Sequence, residues 1–216
     1  MAVPVLIIGQ SGSGKTTSLR NLENAFVINV VGKPLPFKKK DTLITYKCDN
    51  YAKIKTAILQ AVERDYKTIV IDDAGYLITK QFMDNHSTSG KGSSIFDLYN
   101  TIGDEFYKLF VFIAKEVPQD VVVYQTMHVD KNDFGETKPK TIGKMLDEKV
   151  CIEGLYTIVL YAMKNNGKYV FRTNSDGLDC SKSPMEMFDE IIDNDLNTVN
   201  KRIREYYELD EKGEQK

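Results

Sequence analysis

Tryptophan is absent from this 216-residue sequence, histidine occurs only twice and cysteine only three times. Cys48, Cys151 and Cys180 are odd in number and lack the close spacing of a metal site, so buried free thiols are expected. No apolar run reaches the length of a membrane span. The chain also enters a strand within its first residues rather than a leader segment, so no membrane association and a cytosolic location are expected. A formal charge of -2 excludes a protein that gathers nucleic acid by bulk attraction, and any such contact must be local. No internal repeat and no Gly/Pro-rich linker divides the chain, so residues 1–209 are expected to form one domain, followed by a solvated tail over 210–216.

What is present is concentrated early. The stretch Gly9-Gln10-Ser11-Gly12-Ser13-Gly14-Lys15-Thr16, followed by Thr17, comes straight after the apolar run Val3 to Ile8. Its glycines let several backbone N–H groups converge on one anion, and the residues from Lys15 to Leu22 are expected to be helical, adding a helix N-terminus at the same place. The spacing GxxxxGK[ST] is complete, and it sits between a β-branched strand and an amphipathic helix, the context this phosphate-binding loop requires. Lys15 is expected to reach the β- and γ-phosphates of a nucleoside triphosphate, and the Thr16 hydroxyl to ligand the accompanying Mg²⁺.

Further along, "AFVINV" reads as a second strand, "TLITYK" as an edge strand, and Ala52 to Arg64 as a helix. "TIVIDDAG" returns to strand, and a long helix over about 95–116, apolar nearly all round, precedes the strand "DVVVYQT". This alternation predicts an α/β fold, a mainly parallel sheet flanked by helices. Asn166-Gly167 between two β-rich runs predicts a hairpin near the C-terminus, and Leu196, Val199, Ile203 and Tyr206 predict a closing helix capped by Asn194 or Asp195.

A triphosphate site needs a carboxylate at the end of a buried strand. Asp72 is the expected Mg²⁺ partner and Asp73 a candidate to orient or deprotonate the attacking water, with Asp49 as another candidate. The strand from Val121 should lie beside that of Asp72, which makes Gln125, Thr126 and His128 candidate sensors of the γ-phosphate. Lysines crowd two loops, Lys38 to Lys40 and Lys131, Lys138, Lys140, Lys144 and Lys149. Both follow strand ends, where such sheets bind ligands, so a single-stranded polyanion could be tracked there, with Phe37 and Phe134 as stacking platforms.

With "IVIDD", the end of "VVVYQTMH", "KPKTIGKMLDEKVCIEGLYTIVLYA", "YVFRTNSDGLDCSKSPMEMF" and "IDNDLNTVNKRIREYYE" following the loop in order, most of the chain resembles a bacteriophage ATPase family with a RecA-like core. Relatives in that group are similar to single-strand annealing recombinases. The resemblance implies a P-loop NTPase fold, ATP as ligand, single-stranded DNA as partner, assembly into homo-oligomers, and a setting in the cytoplasm of an infected bacterial host. It also implies a basic residue that reaches the nucleotide of a neighbouring subunit, for which Lys182 is the matching position and Arg172 the second. RecA-like enzymes commonly carry a catalytic glutamate at the end of the strand after the phosphate-loop helix, and "FVINVVGKP" has none.

Other functions are weighed by what the sequence omits. Nucleotide kinases close an arginine-rich lid over the transferred group, and the only arginines here are Arg20, Arg64, Arg172, Arg202 and Arg204. Asp72-Asp73-Ala74-Gly75 fits the DxxG pattern of GTPases, but Gln125-Thr126-Met127-His128 stands where a guanine-reading Asn-Lys-x-Asp would be, so ATP is expected. The missing glutamate leaves open a non-hydrolysing, ATP-gated binding module.

Overall fold

The computed structural model describes residues 1–87, 93–131, 135–142 and 145–210. Its strands are β1 (Val3–Ile8), β2 (Ala25–Asn29), β3 (Leu43–Lys47), β4 (Thr68–Asp72), β5 (Val122–Met127), β6 (Val129–Lys131), β7 (Thr137–Pro139), β8 (Ile158–Asn165), β9 (Lys168–Arg172) and β10 (Ile191–Asp193). Its α-helices are α1 (Tyr51–Glu63), α2 (Gly75–Asn85), α3 (Ser93–Glu116) and α4 (Leu196–Tyr206).

The main sheet has the order β10-β9-β8-β1-β5-β4-β2-β3. Strands β8, β1, β5, β4, β2 and β3 run parallel, and β9 and β10 complete one edge antiparallel. This is the α/β architecture of a P-loop NTPase, and the apolar runs of β1, β4 and β5 are buried because helices cover both faces. On one face Val5, Ile7, Val70 and Tyr124 pack against Leu19, Leu22 and the apolar stripe of α4, Leu196, Val199 and Ile203. On the other, β1, β4 and β5 turn Leu6, Ile8, Ile69, Ile71 and Val123 towards α1, α2 and α3.

Local signals act as expected at several points. Asn166 and Gly167 both take positive φ, 49° and 80°, and join β8 to β9 in a two-residue hairpin. Asp195 caps α4 by accepting from the N–H groups of Asn197 and Thr198, and Asn50 caps α1 by accepting from Lys53. β3 is indeed the edge strand.

Two expectations are corrected. The segment after the phosphate loop is a short 3₁₀ helix, Thr16–Asn21, because Leu22 turns extended and Asn24 takes a φ of 48°, ending the turn before an α-helix can develop. The long helix α3 is amphipathic rather than apolar nearly all round. It buries Ile102, Phe106, Leu109 and Ile113 and leaves Phe96 and Tyr107 exposed. Helix α2, the small β6–β7 hairpin and β10 carry too few periodic residues to be read from the sequence. Most of the expected tail lies outside the described residues, and Asp210 at its start accepts from Arg204 Nε at 2.9 Å. Among the described residues no helix is long and apolar enough to cross a membrane.

Candidate nucleotide site

The glycine loop leaves the carboxyl end of β1 and turns back over it. Gly14 has a φ of 100°, and a Cβ there would lie 2.9 Å from the Tyr169 ring, so only glycine fits both the conformation and the space. Gly9 is also pinned, since a Cβ would come within 2.4 Å of Ser13 Oγ and 2.6 Å of Ala162 O. Lys15 is folded into this cradle, and its Nζ donates to Gly9 O at 2.8 Å and Gln10 O at 2.9 Å. Burial lowers its pKa to about 8, opposed by the carboxylates of Asp73 and Asp72 and reinforced by the positive charge of Lys33.

Sheet register assembles the second half of the site. Because β5 lies between β1 and β4, with Ile71 opposite Gln125, Asp72 and Thr126 emerge side by side at the strand ends. The Thr126 hydroxyl donates to Asp72 Oδ1 at 2.9 Å and accepts the N–H of Asp73 at 2.7 Å. Thr16 Oγ1 donates to the same carboxylate at 3.0 and 3.1 Å, which ties the phosphate loop to β4. Burial and the neighbouring Asp73 raise the Asp72 pKa to about 6, against the stabilising hydroxyls of Thr126 and Thr16 and the charge of Lys15.

These groups fit a hydrated Mg²⁺ on a nucleotide. A hydroxyl and a buried carboxylate are hard oxygen donors set beside the lysine of the loop, and Mg²⁺ commonly takes only one or two protein oxygens, completing its shell with water and phosphate. Accordingly, no cluster of three or more His, Cys, Asp or Glu that could form an all-protein metal cage occurs among the described residues.

Beyond Asp72 the chain turns sharply, with Asp73 at a φ of 60°. The Asp73 carboxylate lies 3.6 Å from His128 Nε2, and the His128 ring meets the edge of Tyr76 at 5.6 Å between centroids. Burial, together with the positive charges of Lys15, Lys33 and Lys140, lowers the His128 pKa although Asp73 opposes this, so the imidazole is neutral at pH 7. A cleft of about 790 Å³ runs from Gln10 and Lys15 past Asp72 and Asp73 to Tyr76, His128 and Lys140.

The structure thus brings Lys15, Thr16, Thr17, Asp72, Asp73 and His128 to one cleft, with Thr126 supporting them from below. Gln125 is corrected. Adjacent strand residues face opposite ways, so it points into the apolar face beneath the sheet, where its Oε1 accepts from the buried Tyr156 hydroxyl, and it cannot meet a γ-phosphate.

The remaining candidates are scattered. Lys182 pairs through its backbone with Val159 of β8, at 2.8 and 2.9 Å, and is outside the cleft of its own chain. Arg172 is bound to Asp176 at 2.8 Å and Asp179 at 3.3 Å. Asp49 lies 3.8 Å from Lys80 and outside the cleft. Phe37 packs against the core with Leu35 instead of standing free as a platform, and Phe134 and Lys144 lie outside the described residues. Lys38, Lys39, Lys40, Lys131, Lys138, Lys140 and Lys149 are exposed, and Lys140 also lines the cleft.

Sequence reasoning missed Asn29, Lys33 and Tyr76, all of which line the cleft. The signal for the first two was their place at the end of a parallel strand and in the loop just after it. Comparison with curated proteins gives no match. The model of the AAA domain family, by contrast, matches residues 1–211, the span that builds both the sheet and the cleft, and the chain belongs to that family of P-loop ATPases.

Proposed function

We propose that this protein hydrolyses Mg-ATP and couples the reaction to single-stranded DNA during phage recombination, annealing or replication, as a homo-oligomer in the cytoplasm of an infected bacterial host. The observation that carries the hydrolytic reading is the hydrogen-bonded set Thr16, Asp72 and Thr126, with Lys15 in the same cleft, at the carboxyl ends of β1, β4 and β5. Lys15 and the loop N–H groups hold the β- and γ-phosphates, and Thr16 and Asp72 hold the metal shell. A bound Mg²⁺ supplies charge neutralisation on the phosphate oxygens. Thr126 fixes Asp73 through its N–H, and Asp73, backed by His128, orients a water in line with the γ-phosphate and takes up its proton.

Exposed lysines support the DNA partner. Lys38, Lys39 and Lys40 stand in the same loop as Lys33, Pro34 and Pro36, which line the cleft, with Phe37 between the two groups. A polyanion held by that loop would bear on the nucleotide through the same backbone segment. Lys182 is assigned to the neighbouring subunit's nucleotide.

A second reading, an ATP-gated module without turnover, is favoured by one observation. The end of β2, where RecA-like enzymes place a glutamate, carries Asn29. Steady-state ATP hydrolysis with Mg²⁺, with and without single-stranded DNA and with Lys15→Ala as blank, separates the readings. DNA-stimulated turnover is expected. Tight ATP binding without turnover would establish the gated module, and turnover indifferent to DNA would remove the DNA partner.

A further inference from the structure

Asn29 has a structural task in place of an acidic one. Its Oδ1 accepts the N–H of Gly32 at 2.7 Å and its Nδ2 donates to Lys33 O at 2.7 Å, closing the turn after β2 with a single side chain. Gly32 takes a φ of 73°, and a Cβ there would run into the Lys47 side chain, so the turn depends on glycine as well. The turn delivers Lys33 to the cleft, where its Nζ stands 5.4 Å from the centre of the Tyr76 ring. Lys140 also lines the cleft, and its N–H donates to His128 O at 2.7 Å, which ties its backbone to the segment that carries His128.

The described cleft lining thus carries three lysines, Lys15, Lys33 and Lys140, and no arginine, facing the carboxylates of Asp72 and Asp73. Lys33 acts against the charge of Lys15, and Lys33 and Lys140 both act against a charge on His128, so these cations crowd one space. Like charges gathered around a phosphate cradle are relieved by a polyanion.

We propose that Lys33 and Lys140 close from two sides on the γ-phosphate of a bound nucleoside triphosphate, within the same subunit, with Asn29 as the positioning residue for Lys33. The inference rests on the nucleotide reading above but not on hydrolysis. The clamp would separate triphosphate from diphosphate, because only the former carries the γ-phosphate that the two lysines hold.

The test is the affinity of fluorescent ATP and ADP analogues, measured with Mg²⁺ for the wild type, Lys33→Ala, Lys140→Ala, Asn29→Ala and the control Lys108→Ala on the far helix α3. Each clamp variant is expected to weaken ATP roughly tenfold and leave ADP unchanged, as loss of a charged hydrogen bond does. Asn29→Ala should shift the ratio in the same direction and add nothing in a Lys33→Ala background, an outcome that a general loss of stability would not give. Equal loss for both nucleotides, or an unchanged ratio in a wild type that binds both, overturns the clamp alone. A wild type that binds neither nucleotide overturns the site and the clamp together.

Discussion

Asp72→Asn should make the nucleotide-free protein more stable while abolishing its Mg²⁺-dependent chemistry. The Asp72 carboxyl is 3% exposed and titrates at about 6, against an ordinary value of 3.8, with burial as the main cause and Asp73 next. A difference of this size corresponds to about 3 kcal/mol of destabilisation once the group is ionised. The sign follows from proton linkage. Between the unfolded and folded pKa values the folded protein holds the proton more tightly, so stability falls as pH rises through that window and the full penalty persists above pH 6. Asparagine keeps the volume and retains an oxygen for the hydroxyls of Thr16 and Thr126, so removing the charge should recover about 1–3 kcal/mol at pH 8 and nothing near pH 4. For a chain of this length that is a rise in Tm of about 2–12 °C. Urea denaturation of both proteins at pH 4, 5 and 8, without nucleotide or Mg²⁺, measures the difference, and an ATPase assay on the same samples should show a loss of at least ~100-fold. A variant less stable than wild type at pH 8, or a gain independent of pH, would refute the claim that this carboxylate is held in the fold at a cost.

Four further outcomes are expected. ATP affinity should fall about tenfold per pH unit above pH 8, because Lys15 titrates at about 8 when buried and must regain its proton to meet a phosphate; calorimetry near pH 9 in buffers of different ionisation heat should detect proton uptake, and none would contradict the burial argument. Thr126→Val leaves the Asp73 N–H without its acceptor and should cost about 1–3 kcal/mol in denaturation, with turnover reduced at least tenfold; wild-type turnover would show that Thr126 does not organise the acidic pair. Tyr156→Phe should destabilise by about 1–3 kcal/mol by stripping the buried Gln125 of its donor, yet leave the ATP dissociation constant within twofold; a large affinity change would contradict the placement of Gln125 under the sheet. Lys182→Ala should lose DNA-stimulated turnover and keep nucleotide affinity, and mixing it with Lys15→Ala should restore part of the activity if each subunit completes its neighbour's site; no recovery in mixed oligomers removes Lys182 from that role.

What was legible in the sequence is what is encoded locally. The phosphate loop, the Asn166-Gly167 hairpin and the Asp195 cap each depend on a backbone conformation that a few adjacent residues determine. The neighbouring positions of Asp72 and Thr126 were also legible, because a P-loop sheet places the next strand beside the acidic one. The Gln125 assignment failed for a reason of period. Two successive residues of a strand cannot serve the same face, and Thr126 was the one that faced the loop. Likewise "FYKLFVFIA" reads as apolar nearly all round, although α3 needs only the stripe through Phe106, Leu109 and Ile113 to meet the sheet.

The cleft's electrostatics were not legible, because they arise from chain segments far apart in sequence. Lys15 is held below its usual pKa and Asp72 above its own, so both groups sit in a setting that opposes their charged forms. Each is relieved by a different part of the same ligand, the lysine by phosphate and the carboxylate by the metal. Thr16 joins the two halves through its bond to Asp72. Anion and cation therefore lower each other's cost of entry, and Mg²⁺ and ATP should bind with positive cooperativity that weakens as pH falls through 6 and Asp72 takes up a proton. Titrating ATP affinity against Mg²⁺ at pH 5.5 and pH 7.5 reads this coupling, and a coupling of equal size at both would mean that the charge on Asp72 has no part in it.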